Sequence, residues 1–168
     1  MNFLTETIAW VHQTGYSTWL RESESTFAYP FALVLHSVGM GILIGLSIVV
    51  ALVILGAAGP VSVAALKGFF PFMWTGAAIN GASGLVLLIA NPEFMENWDF
   101  LLKLAFIALG LATMRLLYIH LSNNPRPDKM PVWLTDKVLA WASIVFWTGS
   151  IITGRMTAYI GGAGAVLG

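Results

Sequence analysis

The sequence predicts an all-α integral membrane protein, a four-helix bundle preceded by an N-terminal amphipathic interfacial helix. The first observation is composition: the chain of 168 residues is 58% hydrophobic and 10% charged, whereas soluble domains carry about 25% charged residues. The second is that its apolar residues form four runs, each near the roughly 20 residues that cross a bilayer. Zero net charge gives no indication of nucleic-acid binding. The absence of cysteine excludes disulfides, thiolate metal sites and iron–sulfur clusters.

Residues 1–27 are predicted to form the interfacial helix. Apolar residues between Leu4 and Trp19 recur on one helical face, and polar residues between Glu6 and Ser17 recur on another. Tryptophans such as Trp19 suit the depth of the lipid headgroups. The segment lacks the ordered basic, apolar and small-residue regions of a cleavable signal, so it is predicted to remain part of the chain.

The bundle is predicted over residues 28–160. Its spans are residues 28–56, 69–90, 100–121 and 136–160, and residues 161–168 are predicted to be a flexible tail. Pro30 fits the first turn of the first span, where a missing N–H costs nothing. Asn91 and Pro92 end the second span.

Basic residues in the links set the predicted orientation. Lys67 lies in the first link, and Arg126, Lys129 and Lys137 lie in or beside the third, whereas the second link is acidic. Because lysine and arginine favour the cytoplasmic side, both termini are predicted to face outward. The sequence therefore indicates a multi-pass protein of a bacterial inner membrane with periplasmic termini.

Each of the four spans places a polar group in the outer half of the bilayer. At 1.5 Å per residue, His36 lies about 12 Å from the outer end of its helix, Asn80 about 15 Å, Lys103 about 5 Å and Arg155 about 5–8 Å. Ionisable groups inside a membrane are costly and commonly functional. These residues are therefore the predicted site.

Depth separates the two membrane histidines. His36 and His120 are about 20 Å apart along the membrane normal, so one flat cofactor cannot use both. His120 is predicted to be an interfacial residue near the third link, and Arg115 is predicted to extend towards lipid phosphates. His12 on the N-terminal segment is predicted to be an interfacial histidine without a specific role.

Other interpretations of the site residues stay open. His36 and Met40 lie one turn apart and could both reach a soft metal or flank a ring, or His36 could be a core histidine bonded to a serine or a carbonyl. Arg155 could anchor its helix in the interface. Lys103 could pair with the acidic second link, at Glu96 and Asp99.

Small residues line one face of the second span. Gly76, Ala77 and Gly84 share this face with Asn80, and such a surface allows close helix approach or makes room for a planar macrocycle. The pattern W-T-G-x-x-I-x-G begins at Trp74 on the second span and recurs on the fourth. If the two helices are repeats, the pattern aligns Asn80 with Thr153.

Several motifs together resemble known bacterial proteins. The motifs are L-H-x-x-G-M-G-x-L-x-G around His36, W-T-G and S-G on the second span, and F-L-L-K-L with Y-x-H on the third. They are similar to an uncharacterised family of four-helix membrane proteins, to the CopD-like copper-resistance proteins and to the HemJ-type protoporphyrinogen oxidases. The resemblance to the HemJ type implies that His36 and Lys103 form a functional pair associated with b-type haem. The tryptophan-rich HemJ signature is missing, so porphyrinogen oxidation is not carried over.

The leading hypothesis is a membrane redox protein that binds one haem b in the outer half of the bundle, with His36 as axial ligand. Lys103 or Arg155 would neutralise the propionates, and Asn80 and Met40 would contribute to the site. Lys103 and Met40 are the candidates for a sixth ligand, and a quinol or a porphyrin would supply electrons. One alternative is copper handling, with His12, His36 and Met40 as ligands. The other is an accessory subunit of a larger membrane complex; a homo-oligomer is also expected.

Overall fold

The protein is helical throughout the part of the chain that the structure describes, apart from the links between helices. The computed structural model describes residues 3–58, 62–123 and 133–164, and these residues contain no strand. The helices are α1 (Phe3–His12), α2 (Gly15–Glu22), α3 (Tyr29–Ile54), α4 (Val63–Ala90), α5 (Trp98–Asn123) and α6 (Leu134–Gly164). A 3₁₀ turn, Pro92–Glu96, joins α4 to α5. Four of the helices, α3 to α6, are long and apolar enough to cross a membrane, which confirms the prediction of a multi-pass membrane protein.

The helix ends differ from the predicted spans because hydropathy marks the lipid-facing stretch and not the helix. α4 begins at Val63 instead of residue 69, since the Ser62 side chain accepts a hydrogen bond from the Ala65 N–H at 3.1 Å and caps it. The same helix continues past Lys67. α6 runs to Gly164 and so takes in the start of the predicted tail. Residues 165–168, and Arg126 and Lys129 of the third link, lie outside the described residues.

Two helical hairpins make up the bundle. α3 packs along α4 and α5 packs along α6, the hairpins meet along α3 and α6, and α4 touches α5 sparsely. Buried apolar side chains fill the centre, among them Val50, Met73, Met114 and Trp147. We call the end that holds the start of α3 and the end of α4 the outer end, and the opposite end the inner end.

Glycines bring α3 against α4 at backbone contact. A Cβ atom added to Gly39 would lie 2.6 Å from the Asn80 N atom and 2.9 Å from the Gly76 O atom. A Cβ atom added to Gly76 would lie 2.8 Å from the Leu43 N atom. Since real Cβ atoms do not approach that closely, this crossing depends on glycine in both helices.

The second hairpin uses glycine to seat aromatic rings. A Cβ atom on Gly110 of α5 would lie 2.9 Å from the Trp147 indole of α6, and one on Gly149 of α6 would lie 2.9 Å from the Phe106 ring of α5. Each helix therefore receives one large ring from its partner. This interlocking fixes the register of α5 against α6.

The segment predicted as one interfacial helix consists of two short helices. The helical conformation is interrupted at Thr14, whose backbone is extended. The Thr14 side chain caps α2 by accepting a hydrogen bond from the Ser17 N–H at 3.3 Å. α1 contacts the 3₁₀ turn and α2 contacts α4, so the segment lies at the outer end of the bundle. Its position in the membrane interface stays a prediction.

Ser17 ties this segment to the bundle. Its side chain is buried, and its hydroxyl donates to the Ile89 O atom at 2.8 Å, one of the last carbonyls of α4, which have no partner within their own helix. Arg21 donates to the Ser17 Oγ atom at 2.6 Å and to the His12 O atom at 3.1 Å. The guanidinium thus joins α1 to α2 beside the negative end of the α4 dipole.

Ser17→Ala is expected to lower the free energy of unfolding by about 1–2 kcal/mol, because the Ile89 carbonyl and the Arg21 guanidinium both lose a buried partner. Thermal unfolding of the detergent-solubilised protein measures the effect. Ser37→Ala is the control, since the Ser37 hydroxyl is exposed and bonds only the Leu33 carbonyl of its own helix. Equal unfolding temperatures for the two variants would contradict the assigned role of Ser17.

Candidate functional site

His36 and Asn80 join α3 to α4 through a reciprocal pair of hydrogen bonds. The His36 Nδ1 atom lies 3.0 Å from the Asn80 backbone O atom. The Asn80 side-chain Nδ2 atom donates to the His36 backbone O atom at 2.9 Å. Each side chain thus bonds the main chain of the opposite helix, directly beside the glycine crossing. Because both bonds connect α3 with α4, they fix the position of the His36 ring relative to α4.

The hydrogen bond of Nδ1 determines which nitrogen of His36 is available. A carbonyl oxygen can only accept, so Nδ1 carries the proton and Nε2 has the free lone pair in the neutral ring. Within the described residues no group forms a hydrogen bond with Nε2. The alternative interpretation, a core histidine bonded to a carbonyl, accounts for the hydrogen bond of Nδ1. It does not account for the free lone pair of Nε2.

Ser83 and Gly84 complete the wall of α4 around the imidazole. The Ser83 Oγ atom lies 3.4 Å from Nδ1 of His36 and donates to the Ile79 O atom of its own helix. A Cβ atom added to Gly84 would lie 3.2 Å from the His36 Cε1 atom. A side chain at this position would therefore push the ring, which gives Gly84 a defined function in seating His36.

Lys103 of α5 lies at the same end of the bundle. Its side chain runs against Gly154 of α6, where an added Cβ atom would lie 3.4 Å from Cε and 3.6 Å from Nζ. Lys103 lies near the start of α5 and His36 near the start of α3, so the two residues share the outer end of the bundle. Within the described residues Lys103 forms no ion pair with Glu96 or Asp99, so its side chain is not held by the acidic link.

His36 and Lys103 occupy equivalent places in the two hairpins. Each lies on the first helix of its hairpin and packs against a glycine of the second helix, Gly84 for His36 and Gly154 for Lys103. Residues three positions further on, Gly39 in one hairpin and Phe106 in the other, again contact the partner helix. The bundle therefore presents one ionisable group from each half at the outer end.

The contacts agree with the alignment that the sequence pattern indicates at one point and depart from it at another. The W-T-G pattern aligns Gly76 with Gly149, and each faces the position three residues after the ionisable group of the opposite helix. The glycines that face the ionisable groups themselves, Gly84 and Gly154, match only after a shift of about one turn. The alignment of Asn80 with Thr153 therefore stays a prediction.

The remaining predicted site residues are placed differently. Arg155 is exposed on α6, and Met40 is half-buried and packs against the apolar core. His12 is exposed on α1. The described residues hold no group of three or more histidine, aspartate and glutamate side chains suited to a metal ion. The structure therefore brings His36 and Asn80 into direct contact and places Lys103 at the same end of the bundle.

The sequence prediction missed a contact of His120. Its Nε2 atom lies 3.4 Å from the Oδ1 atom of Asp136, a fully buried carboxylate in the first turn of α6. The Trp133 ring meets the imidazole edge-on, and the Trp133 N–H donates to Asp136 Oδ2 at 3.2 Å. Depth placed His120 correctly near the inner end, but it gave no information on which helix it faces.

Asn80→Ala is expected to lower the free energy of unfolding by about 1 kcal/mol, because the interhelical bond to the His36 carbonyl is lost. The measurement is denaturation of the purified protein in detergent. Asn123→Ala, at an exposed position at the end of α5, is the control and should leave the unfolding midpoint unchanged. A midpoint for Asn80→Ala equal to that control would contradict the assigned bond.

Comparisons with known proteins do not place this chain in a family. No protein-family model matches it, and no curated protein and no solved structure matches it either.

Proposed function

We propose that the protein is a membrane redox protein that binds one b-type haem at the outer end of the bundle, with the His36 Nε2 atom as axial ligand. The observation that carries this proposal is the 3.0 Å contact between His36 Nδ1 and the Asn80 carbonyl. Histidines that bind metals almost always donate their other ring N–H to a carbonyl, a carboxylate or a water, which fixes the tautomer and the ring orientation. The arrangement of His36 has this form.

The residues around His36 are of types that suit a haem site. Lys103, at the same end of the bundle as His36, supplies a cation that could pair with a propionate through a charge-assisted hydrogen bond. Arg155, near the end of α6, is a second cation. Gly84 keeps the space beside the imidazole free of a side chain. Lys103 remains the better candidate for a sixth ligand, since Met40 packs into the apolar core.

A haem bound here would supply one-electron chemistry, with a potential tuned by its axial ligand and by burial. The protein would contribute orientation, through Asn80 and Ser83, and charge, through Lys103. The sparse contact between α4 and α5 leaves the site open sideways to the lipid. Quinols and porphyrins are apolar enough to arrive through the bilayer, so either class of electron donor is compatible with the site.

The topology belongs to the same proposal. Basic residues flanking the first and third links favour both termini on the periplasmic side of a bacterial inner membrane. The haem would then lie in the periplasmic half of the bilayer. The exterior of the bundle carries many large apolar side chains, which serve equally for contact with lipid, with a second copy or with other subunits of a membrane complex.

Optical spectra of the purified protein test the proposal. We expect a Soret band, sharpened α and β bands after reduction with dithionite, and about one haem per chain by pyridine haemochrome. A protein purified from haem-sufficient cells that shows no Soret band and no haemochrome would refute it. Copper found by metal analysis in place of haem would favour the copper-handling alternative. Stable co-purification with other subunits, without any cofactor, would favour the accessory one.

A further inference from the structure

A groove runs between α5 and α6 at the inner end of the bundle, away from the candidate haem site. It encloses about 280 Å³, and the residues that line it are Leu116, Ile119, His120 and Asn123 of α5 and Thr135 and Leu139 of α6. We call it the inner groove. Leu116 is 53% exposed and Ile119 is 37% exposed, so the groove opens on the side of the two helices that faces lipid. A molecule dissolved in the bilayer can therefore enter it sideways.

The polarity of the inner groove changes along its length. Asn123 at the end of α5 and Thr135 at the start of α6 form its polar end. Leu116 lies seven residues before Asn123, which places it about 10 Å deeper in the membrane. Trp133 is 49% exposed at the polar end, and tryptophan is enriched at the depth of the lipid headgroups. The groove is thus polar at headgroup depth and apolar where acyl chains lie, which matches a phospholipid.

His120 supplies a positioned polar group between these two parts. Its Nε2 atom lies 3.4 Å from the Asp136 Oδ1 atom, and the Trp133 ring meets the imidazole edge-on. Asp136 is fully buried and is not part of the groove lining, so it holds the imidazole from behind. Imidazole, amide and hydroxyl groups can all donate hydrogen bonds to phosphate oxygens. His120, Asn123 and Thr135 provide one of each.

The charges at the inner end favour an anionic ligand. Arg115 is exposed and directly precedes Leu116, so it lies at the edge of the groove, and its long side chain can extend towards the headgroups. Lys67 and Lys137 add positive charge at the same end. In the described part of the chain, Asp136 is the acidic residue of this end, and the other carboxylates lie at the outer end. An anion therefore meets exposed cations here and no exposed carboxylate.

We propose that the inner groove binds one anionic phospholipid from the leaflet at the inner end. An acyl chain lies along Leu116 and Leu139. The phosphate lies between the Arg115 guanidinium and the polar end of the groove. A zwitterionic lipid carries its own cation beside the phosphate, so it gains less from Arg115 than an anionic lipid does. The inference does not depend on a bound haem.

Native mass spectrometry of the purified protein in detergent tests this site. Dioleoyl phosphatidylglycerol and dioleoyl phosphatidylcholine are added in separate titrations, since they share their acyl chains and differ in net charge. We expect the first phosphatidylglycerol to bind about fivefold more tightly than the first phosphatidylcholine, the effect of about one surface cation. Arg115→Gln should remove this preference. Equal affinities of the wild-type protein for the two lipids would overturn the proposal.

Filling the groove gives a test that does not depend on charge. Leu116→Trp places a larger ring at an exposed position of the wall and should lower the affinity for phosphatidylglycerol by a similar factor. Leu109→Trp is the matched control, on the same face two turns away and 46% exposed. Lys137→Gln is the control for charge, since Lys137 points away from the groove on α6. Both controls should bind like the wild type, and a loss in them equal to that of Leu116→Trp would contradict a specific site.

Photo-crosslinking locates the lipid on the wild-type protein and does not require any variant to fold. Phosphatidylglycerol with a diazirine in one acyl chain should label residues 116–123 of α5 after illumination. Labelling confined to other helices would overturn the proposal. Millimolar inorganic phosphate should leave the labelling unchanged, and its loss on addition of phosphate would assign the groove to a free anion instead of a lipid.

Discussion

Gly39→Ala is expected to separate α3 from α4 and to lower the free energy of unfolding by about 3 kcal/mol. The new Cβ atom would lie 2.6 Å from the Asn80 N atom and 2.9 Å from the Gly76 O atom. Both are backbone atoms, which cannot turn aside as the end of a flexible side chain can. The helices must therefore move apart, and the reciprocal bonds between His36 and Asn80 lengthen with them. The substitution should consequently weaken the site as well as the fold.

The same helix supplies the controls for this substitution. Gly41 and Gly45 have no atom within 4 Å of an added Cβ, and alanine is the better helix former, so Gly41→Ala and Gly45→Ala should unfold at or slightly above the wild-type midpoint. Gly76→Ala should reproduce the loss, since it meets the same crossing from the other side. Denaturation in mixed detergent micelles gives the midpoints. A Gly39→Ala midpoint indistinguishable from that of Gly41→Ala would show that the crossing is not as close as described.

The spans could be predicted because lipid imposes a simple rule. An apolar run of sufficient length must form a helix, since no water is present to satisfy its backbone. The ends of the helices are set instead by local interactions such as side-chain caps. Ser62 caps α4 ahead of its apolar run, and Thr14 divides the N-terminal segment in two. Neither effect changes the hydropathy, so neither could be predicted from it.

Depth along the membrane predicted part of the site for a similar reason. The rise per residue places His36, Asn80 and Lys103 in the same half of the bilayer, and the structure brings them to one end of the bundle. Rotation about each helix axis is a separate quantity, and glycine contacts set it. Residue spacing alone therefore could not predict that Arg155 faces outward. Nor could it predict that His120 faces Asp136.

His36→Ala is expected to remove the haem spectrum almost completely, leaving less than about a tenth of the wild-type Soret absorbance per chain. The variant loses the Nε2 lone pair that the Nδ1–Asn80 bond makes available, and Met40 on the next turn packs into the core and cannot replace it. Loss of a group that hydrogen-bonds to a metal ligand typically lowers metal affinity 10–100-fold, and loss of the ligand itself should lower it further. His12→Ala, at an exposed position of α1, should retain the full spectrum.

Chemical rescue distinguishes a lost ligand from a collapsed site. His36→Gly leaves a space beside Gly84 of about the size of the missing ring, so added imidazole should restore the Soret band, while the apolar analogue toluene should not. The contact with Asn80 predicts one further detail: in an Asn80→Leu background the backbone carbonyl remains, and imidazole should still bind. A His36→Ala protein that keeps the full Soret band would place the axial ligand on another residue, and restoration by toluene would assign His36 a purely space-filling role.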